Sequence, residues 1–279
     1  MNTASRIKAL IKLLETERGQ YGNLLREELA AAVRSNPAEV ERIMNEEKHT
    51  SAPRTILQTL EEVCWEELKT DFSAFSAKIN PDLEEGLALL AKFTAPAVTR
   101  EDLTRAVDAL AQKVRPVVIN ARNLREAAEM FNHYFFNVKK FTALPAVVDV
   151  QDTSFWHFLR TGKGSVLCVA CLYMVMSVRF GLDIEIIDLA GRVLLLAKDS
   201  TYNDSFIIDP LDNGKILQAQ ECKEYVLSRA ISWDNNLFTP LSSRAVVRRF
   251  IANMIFILNR LRDERPLAYL RSYLEILTH

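Results

Sequence analysis

The fifteen residues from Val166 to Phe180, VLCVACLYMVMSVRF, constrain this chain more than any other stretch. They follow the glycine-flanked Gly162-Lys163-Gly164-Ser165 and stop at Gly181, the residue type that most often ends a helix. A helix apolar on every side has no solvent face and belongs at a centre. Directly after it, Asp183-Ile184-Glu185-Ile186-Ile187-Asp188-Leu189 alternates polar and apolar, the period of a strand. Arg192–Lys198 reads as a second strand and Ser205-Phe206-Ile207-Ile208-Asp209-Pro210 as a third. The turn-rich 199–204 joins them, and Leu211-Asp212-Asn213-Gly214 makes the next turn. One central helix with a small antiparallel sheet, set between helical segments at both ends, is an α+β plan.

The flanks read as helices. Ile7, Leu10, Ile11, Leu13 and Leu14 mark one apolar face, and Leu24, Leu25, Leu29, Ala32 and Val33 a second, across the link 17–22. Asn36 and Pro37 suit the cap and first turn of a third short helix carrying Val40, Ile43 and Met44. The stretch 46–53 reads as a polar linker. In the acidic cluster Glu61, Glu62, Glu66 and Glu67, Trp65 is expected to turn inward. Asn80-Pro81-Asp82 and Thr99-Arg100-Glu101-Asp102 are helix starts with acids in the first turn. Asn123–Phe136 forms a further helix with Leu124, Ala128, Phe131 and Phe135 inward. Two closing helices occupy Ser242–Leu277, broken at 263–266. The organisation expected is a helical-repeat-like segment over 1–70, a core with its preceding helices over 71–235, and a repeat-like helix pair over 236–279.

Bulk properties exclude several roles. Thirty-five Lys and Arg against 36 Asp and Glu leave a formal charge of −1, so no strong field draws nucleic acid or an anionic membrane. The apolar stretch at 166–178 is too short and interrupted to span a bilayer. Four scattered cysteines do not suggest a disulfide framework, and a cytoplasmic location is expected. Neither Cys64 nor Cys222 belongs to a second close pair, so no metal site is expected. No cofactor is expected either.

A family comes into view in the order of several short motifs. These are Leu83–Ala91, Val107–Ala111, Phe131–Phe136, Phe155–Leu159, Gly164, Leu172-Tyr173, Arg179–Leu182, Ala190-Gly191 and Phe206–Pro210. From about Leu83 to Asn213 the chain resembles the transglutaminase-like core of the SirB-type regulator family. The resemblance implies a thiol at a helix N-terminus, where the dipole and an imidazolium lower its pKa. A histidine on the adjacent strand moves the proton, and a carboxylate on the next holds its tautomer. Matched by position, the thiol falls on Val166, the histidine on Arg192 and the carboxylate on Asp209. Valine offers no nucleophile, and a guanidinium keeps its proton and cannot be a base. An Arg192–Asp209 ion pair is expected instead.

Neither nearby thiol is placed to substitute. At about 100° per residue, Cys168 points some 200° from Val166, and Cys171 lies about 140° round and further down. Both read as buried small hydrophobes, with a redox pair as the alternative that their spacing allows. His133 and His157 sit among aromatics and read as packing residues, His157 being the stray base to test if catalysis survives. Gly162–Ser165 reads as a turn, since it lacks the spacing of a phosphate loop; Lys163 and His157 join Arg192 and Asp209 as binding candidates. The arginines at 244, 248, 249, 260, 262, 265 and 271 bias the last helices positive, a solvated face or one that meets an acidic protein. The function expected is a non-catalytic regulatory or scaffold module that binds protein. The alternatives are a cysteine hydrolase or acyltransferase with a rearranged nucleophile, or small-anion binding through Arg192.

Overall fold

The computed structural model describes residues 3–16, 21–36, 43 and 50–278. The chain divides into two compact units, Met1–Asp71 and Phe72–His279. The first contains α1 (Thr3–Thr16), α2 (Gly22–Ser35) and most of α3 (Ala52–Ala77). Ile7, Leu10, Ile11, Leu29, Ala32, Val33, Ile43 and Ile56 form its core. Two residues expected on the apolar faces point outward, Leu13 at 51% and Leu24 at 58% exposure. Leu24 has no buried residue at i+3 or i+4, and Leu13, three residues after Leu10, lies past the edge of the stripe centred on Ile7, Ile11 and Leu14. Trp65 is buried as expected. Of the third helix only Ile43 lies within the described residues, where it is helical and buried. The linker expected up to Pro53 ends earlier, because Ala52 and Pro53 open α3. A helix's first turn leaves its N–H groups unbonded, so proline costs nothing there.

The second unit begins with two capped helices. Asp82 accepts from the Glu84 N–H ahead of α4 (Leu83–Thr94), and Thr99 forms a reciprocal capping box with Asp102 ahead of α5 (Arg100–Val118). Asn123 caps α6 (Leu124–Asn132), but the helix expected to run on to Phe136 changes character. His133–Val138 widens into a π-helix, and Tyr134, Phe135 and Phe136 are all buried. Three consecutive aromatics cannot share one face of an α-helix, and the wider turn lets them point inward together. Phe135 and Phe136 pack against Tyr173, the Phe135 ring standing edge-on to it at 5.3 Å, and Tyr134 packs edge-on to Phe135.

Two short strands escaped the periodicity: β1 (Thr142–Leu144) and β2 (Lys163–Ser165) pair in parallel. Between them lie a 3₁₀ turn at Val150–Thr153 and α7 (Phe155–Thr161). Then comes α8 (Val166–Phe180), closed by Gly181 in the left-handed region. Its buried residues run from Leu167 to Ser177 with only Met174 partly exposed, as an all-apolar helix requires. Arg179 anchors its far end, bonding Glu84 of α4, Asp108 of α5 at 2.7 Å and the Val175 carbonyl at 2.9 Å.

The main sheet is an antiparallel meander of β3 (Ile184–Leu189), β4 (Arg192–Asp199), β5 (Asp204–Asp209) and β6 (Lys215–Leu217). Its two faces are buried by different elements. Ile187, Leu189, Leu194, Leu196, Ile207 and Leu217 pack with Cys222 and Val226 of α9 (Ala219–Ser228), a helix the sequence did not declare. α8 packs on β3 and β4 but contributes nothing to that cluster, so it covers the opposite face. A 3₁₀ turn at Asn235–Phe238 leads to α10 (Ser243–Leu261) and α11 (Glu264–Ile276). These belong to the same compact unit as the sheet, so the boundary expected at 235/236 does not separate two units. The reason is burial: Val246, Val247, Phe250, Ile251 and Met254 of α10 are all at most 0% exposed, and α10 packs along α4.

Candidate functional site

Gly162 ends α7 with a left-handed cap, and the chain passes straight into β2. The expected turn at Gly162–Ser165 is therefore a helix cap followed by a strand. A strand's N–H groups are spread along the ladder and do not converge on a phosphate. Lys163 is exposed at its start. Ser165 then caps α8, its Oγ accepting from the Cys168 N–H at 3.4 Å and lying 3.3 Å from the Cys168 sulfur. Val166 occupies the first helical position and is half-buried.

Both thiols of α8 are fully buried. The Cys168 sulfur lies 3.7 Å from the Thr153 carbonyl oxygen and 3.9 Å from that of Asp152. Burial pushes its thiol up to about 12, outweighing the hydrogen bonds to Ser165. Burial raises the Cys171 thiol well above its ordinary value too. A helix N-terminus favours a thiolate, but desolvation wins here, and the charge of Asp152 pushes in the same direction. Cys64 and Cys222 are also buried, and none of the four cysteines is in a disulfide.

At the sheet's end the expected ion pair is present. β4 and β5 pair Leu195 with Ile208, so Asp209 lies opposite Leu194, and Arg192 falls on the same face two residues along. The Arg192 Nη2 donates to Asp209 Oδ2, while Asp209 Oδ1 accepts from the Leu211 N–H at 2.9 Å. Asp209 is 1% exposed and Arg192 31%. The guanidinium carbon lies 5.2 Å from the centroid of the Tyr225 ring on α9. Beside the pair, Lys215 donates to Glu221 at 2.6 Å.

The contact with Tyr225 fixes which face the pair is on: it is the α9 face. Val166 begins the helix that covers the other face. Of the three matched positions the structure thus brings two together, and the third lies across the sheet from them. His157 is half-buried in α7, its backbone N–H bonded to Ser154 Oγ at 3.4 Å. His133 is exposed. Among the described residues no group of three or more His, Cys, Asp or Glu is arranged to hold a metal ion. No described helix is long and apolar enough to cross a membrane.

Sequence reasoning missed Tyr225 and the Lys215–Glu221 pair, since both depend on α9. The only signal was Cys222 and Val226 at i, i+4, too narrow a stripe to declare a helix.

The fold is mixed α and β, a buried helix against an antiparallel sheet whose end carries a strand-borne carboxylate. A family model for the transglutaminase-like superfamily matches residues 101–252, more than half of the 279-residue chain. The chain belongs to the transglutaminase-like superfamily. The match extends past Asn213 to take in α9 and half of α10, further than the motifs alone implied. No curated protein and no solved structure matches the chain.

Proposed function

We propose that the chain is a non-catalytic member of this superfamily, of the SirB-type regulator kind, which serves as a regulatory or scaffold module that binds another protein. The observation that carries this reading is the state of the sulfurs. The helix N-terminus where the superfamily activates a thiol presents Val166, and the two thiols nearest to it are sealed in the core. Arg192 supports it further, because its guanidinium is committed to Asp209 and Tyr225 and cannot shuttle a proton. With the chemistry gone, the helices around the sheet remain as surface for a partner.

Thiol labelling tests this. With its pKa near 12, the Cys168 thiol carries about one thiolate in ten thousand molecules at pH 8. All four cysteines of the native chain are expected to react with iodoacetamide at pH 8 at least a hundredfold more slowly than in urea, where all four label. One cysteine that alkylates in the native state as fast as, or faster than, free cysteine would instead mark a working nucleophile and favour the hydrolase or acyltransferase alternative.

A further inference from the structure

We propose that a cleft on the α9 face of the sheet, away from the Arg192–Asp209 pair, binds an aliphatic carboxylate. The cleft holds about 620 Å³, within the range of roughly 300–1,000 Å³ usual for small-molecule sites. Leu196, Ile207 and Leu217 of β4, β5 and β6 form its floor. Trp233 and Phe238 form one wall, their rings edge to face at 5.3 Å. The floor is apolar because this face of the meander alternates inward. The cleft stays open because β6 is only three residues long and the chain leaves the sheet at Gln218 to start α9.

The charges lining the cleft have one sign. Among the described residues that line it, Arg125 and Lys198 are the charged ones and none is Asp or Glu. Arg125 reaches the cleft at the sheet's edge, its guanidinium carbon 4.4 Å from the centroid of the Phe206 ring, which alternates to the other side from Ile207, and it bonds Asp204 through Nη2 at 3.2 Å. Lys198 bonds Glu185 at 2.6 Å. Those acids hold the two cations in place from outside the cleft and leave donors free, since a guanidinium has five and an ammonium three. A carboxylate head can take the open donors of Arg125 while its chain covers the floor. An alkyl cation finds only carboxylates that are already paired, Asp204 and Glu185, and a sugar or free phosphate finds no polar floor. The proposal uses none of the residues on which the functional reading rests, so either can fail without the other.

The test is calorimetry and tryptophan fluorescence on the full chain with decanoate below its micelle concentration, against decyltrimethylammonium and acetate. Decanoate is expected to bind saturably at one site and shift the emission, with the other two probes at least tenfold weaker. Trp233→Phe should abolish the emission change and keep the heat. Arg125→Ala should weaken decanoate about tenfold, the worth of a charged hydrogen bond. Ala219→Trp, at an exposed rim position, should block binding without altering the melting curve. No saturable heat, equal affinity for the ammonium probe, an emission change that survives Trp233→Phe, or full binding by either Arg125→Ala or a folded Ala219→Trp would overturn the proposal.

Discussion

Gly214→Ala is expected to lower the melting temperature by roughly 5–15 °C, and Gly191→Ala by only about 2–6 °C, in matched thermal scans. Both glycines sit at positive φ, +77° and +90°, where a side chain costs about 1–2 kcal/mol. What separates them is space. Around Gly191 nothing lies within 4 Å of an added Cβ. At Gly214 the same atom would run into the Asn132 amide and sit 2.7 Å from the Tyr173 hydroxyl. Those groups have little room to yield. The Asn132 amide donates to the Gly214 carbonyl at 2.6 Å and accepts from Tyr173, itself wholly buried on α8. Overpacking there adds about 1–3 kcal/mol. Equal shifts in the two variants would mean that backbone strain alone decides the cost and that the β5–β6 turn is not pinned to α6 and α8.

Arg192→Met is expected to cost about 2–4 kcal/mol, below the full penalty for orphaning a buried charge because water reaches the arginine. The loss arises at Asp209, which stays in the interior at 1% exposure with only the Leu211 N–H to answer it. Neutralising that residue should therefore return stability. The double variant Arg192→Met, Asp209→Asn should be more stable than the sum of its single losses by about 1–3 kcal/mol, measured by urea unfolding. Strict additivity would show that the two groups do not couple and that Arg192 is held by Tyr225 alone.

The long elements were legible because their periods are. Asp82, Thr99 and Asn123 each cap the helix that their side chains promised. The apolar run after Gly164 is the buried helix, and the alternation from Asp183 is the sheet. Elements of three residues, such as β1, β2 and β6, are shorter than one reading of any period, so nothing announced them. α9 buries only Cys222 and Val226, and half a stripe is indistinguishable from a loop. The π-turn at His133–Val138 follows from where three adjacent aromatics find room, which depends on Tyr173, about forty residues further along the chain.

Residue identity alone decided what two positions offer: a hydrocarbon at position 166 cannot attack, and an arginine at 192 cannot take a proton, however the chain folds. The pairing of Arg192 with Asp209 was also open to inference, since opposite charges on neighbouring strands attract. Which side of the sheet they occupy was not. That was decided by α9, whose weak stripe gains its stability only by covering an apolar face presented by residues distant in sequence, and so it enters the account only once the chain has packed.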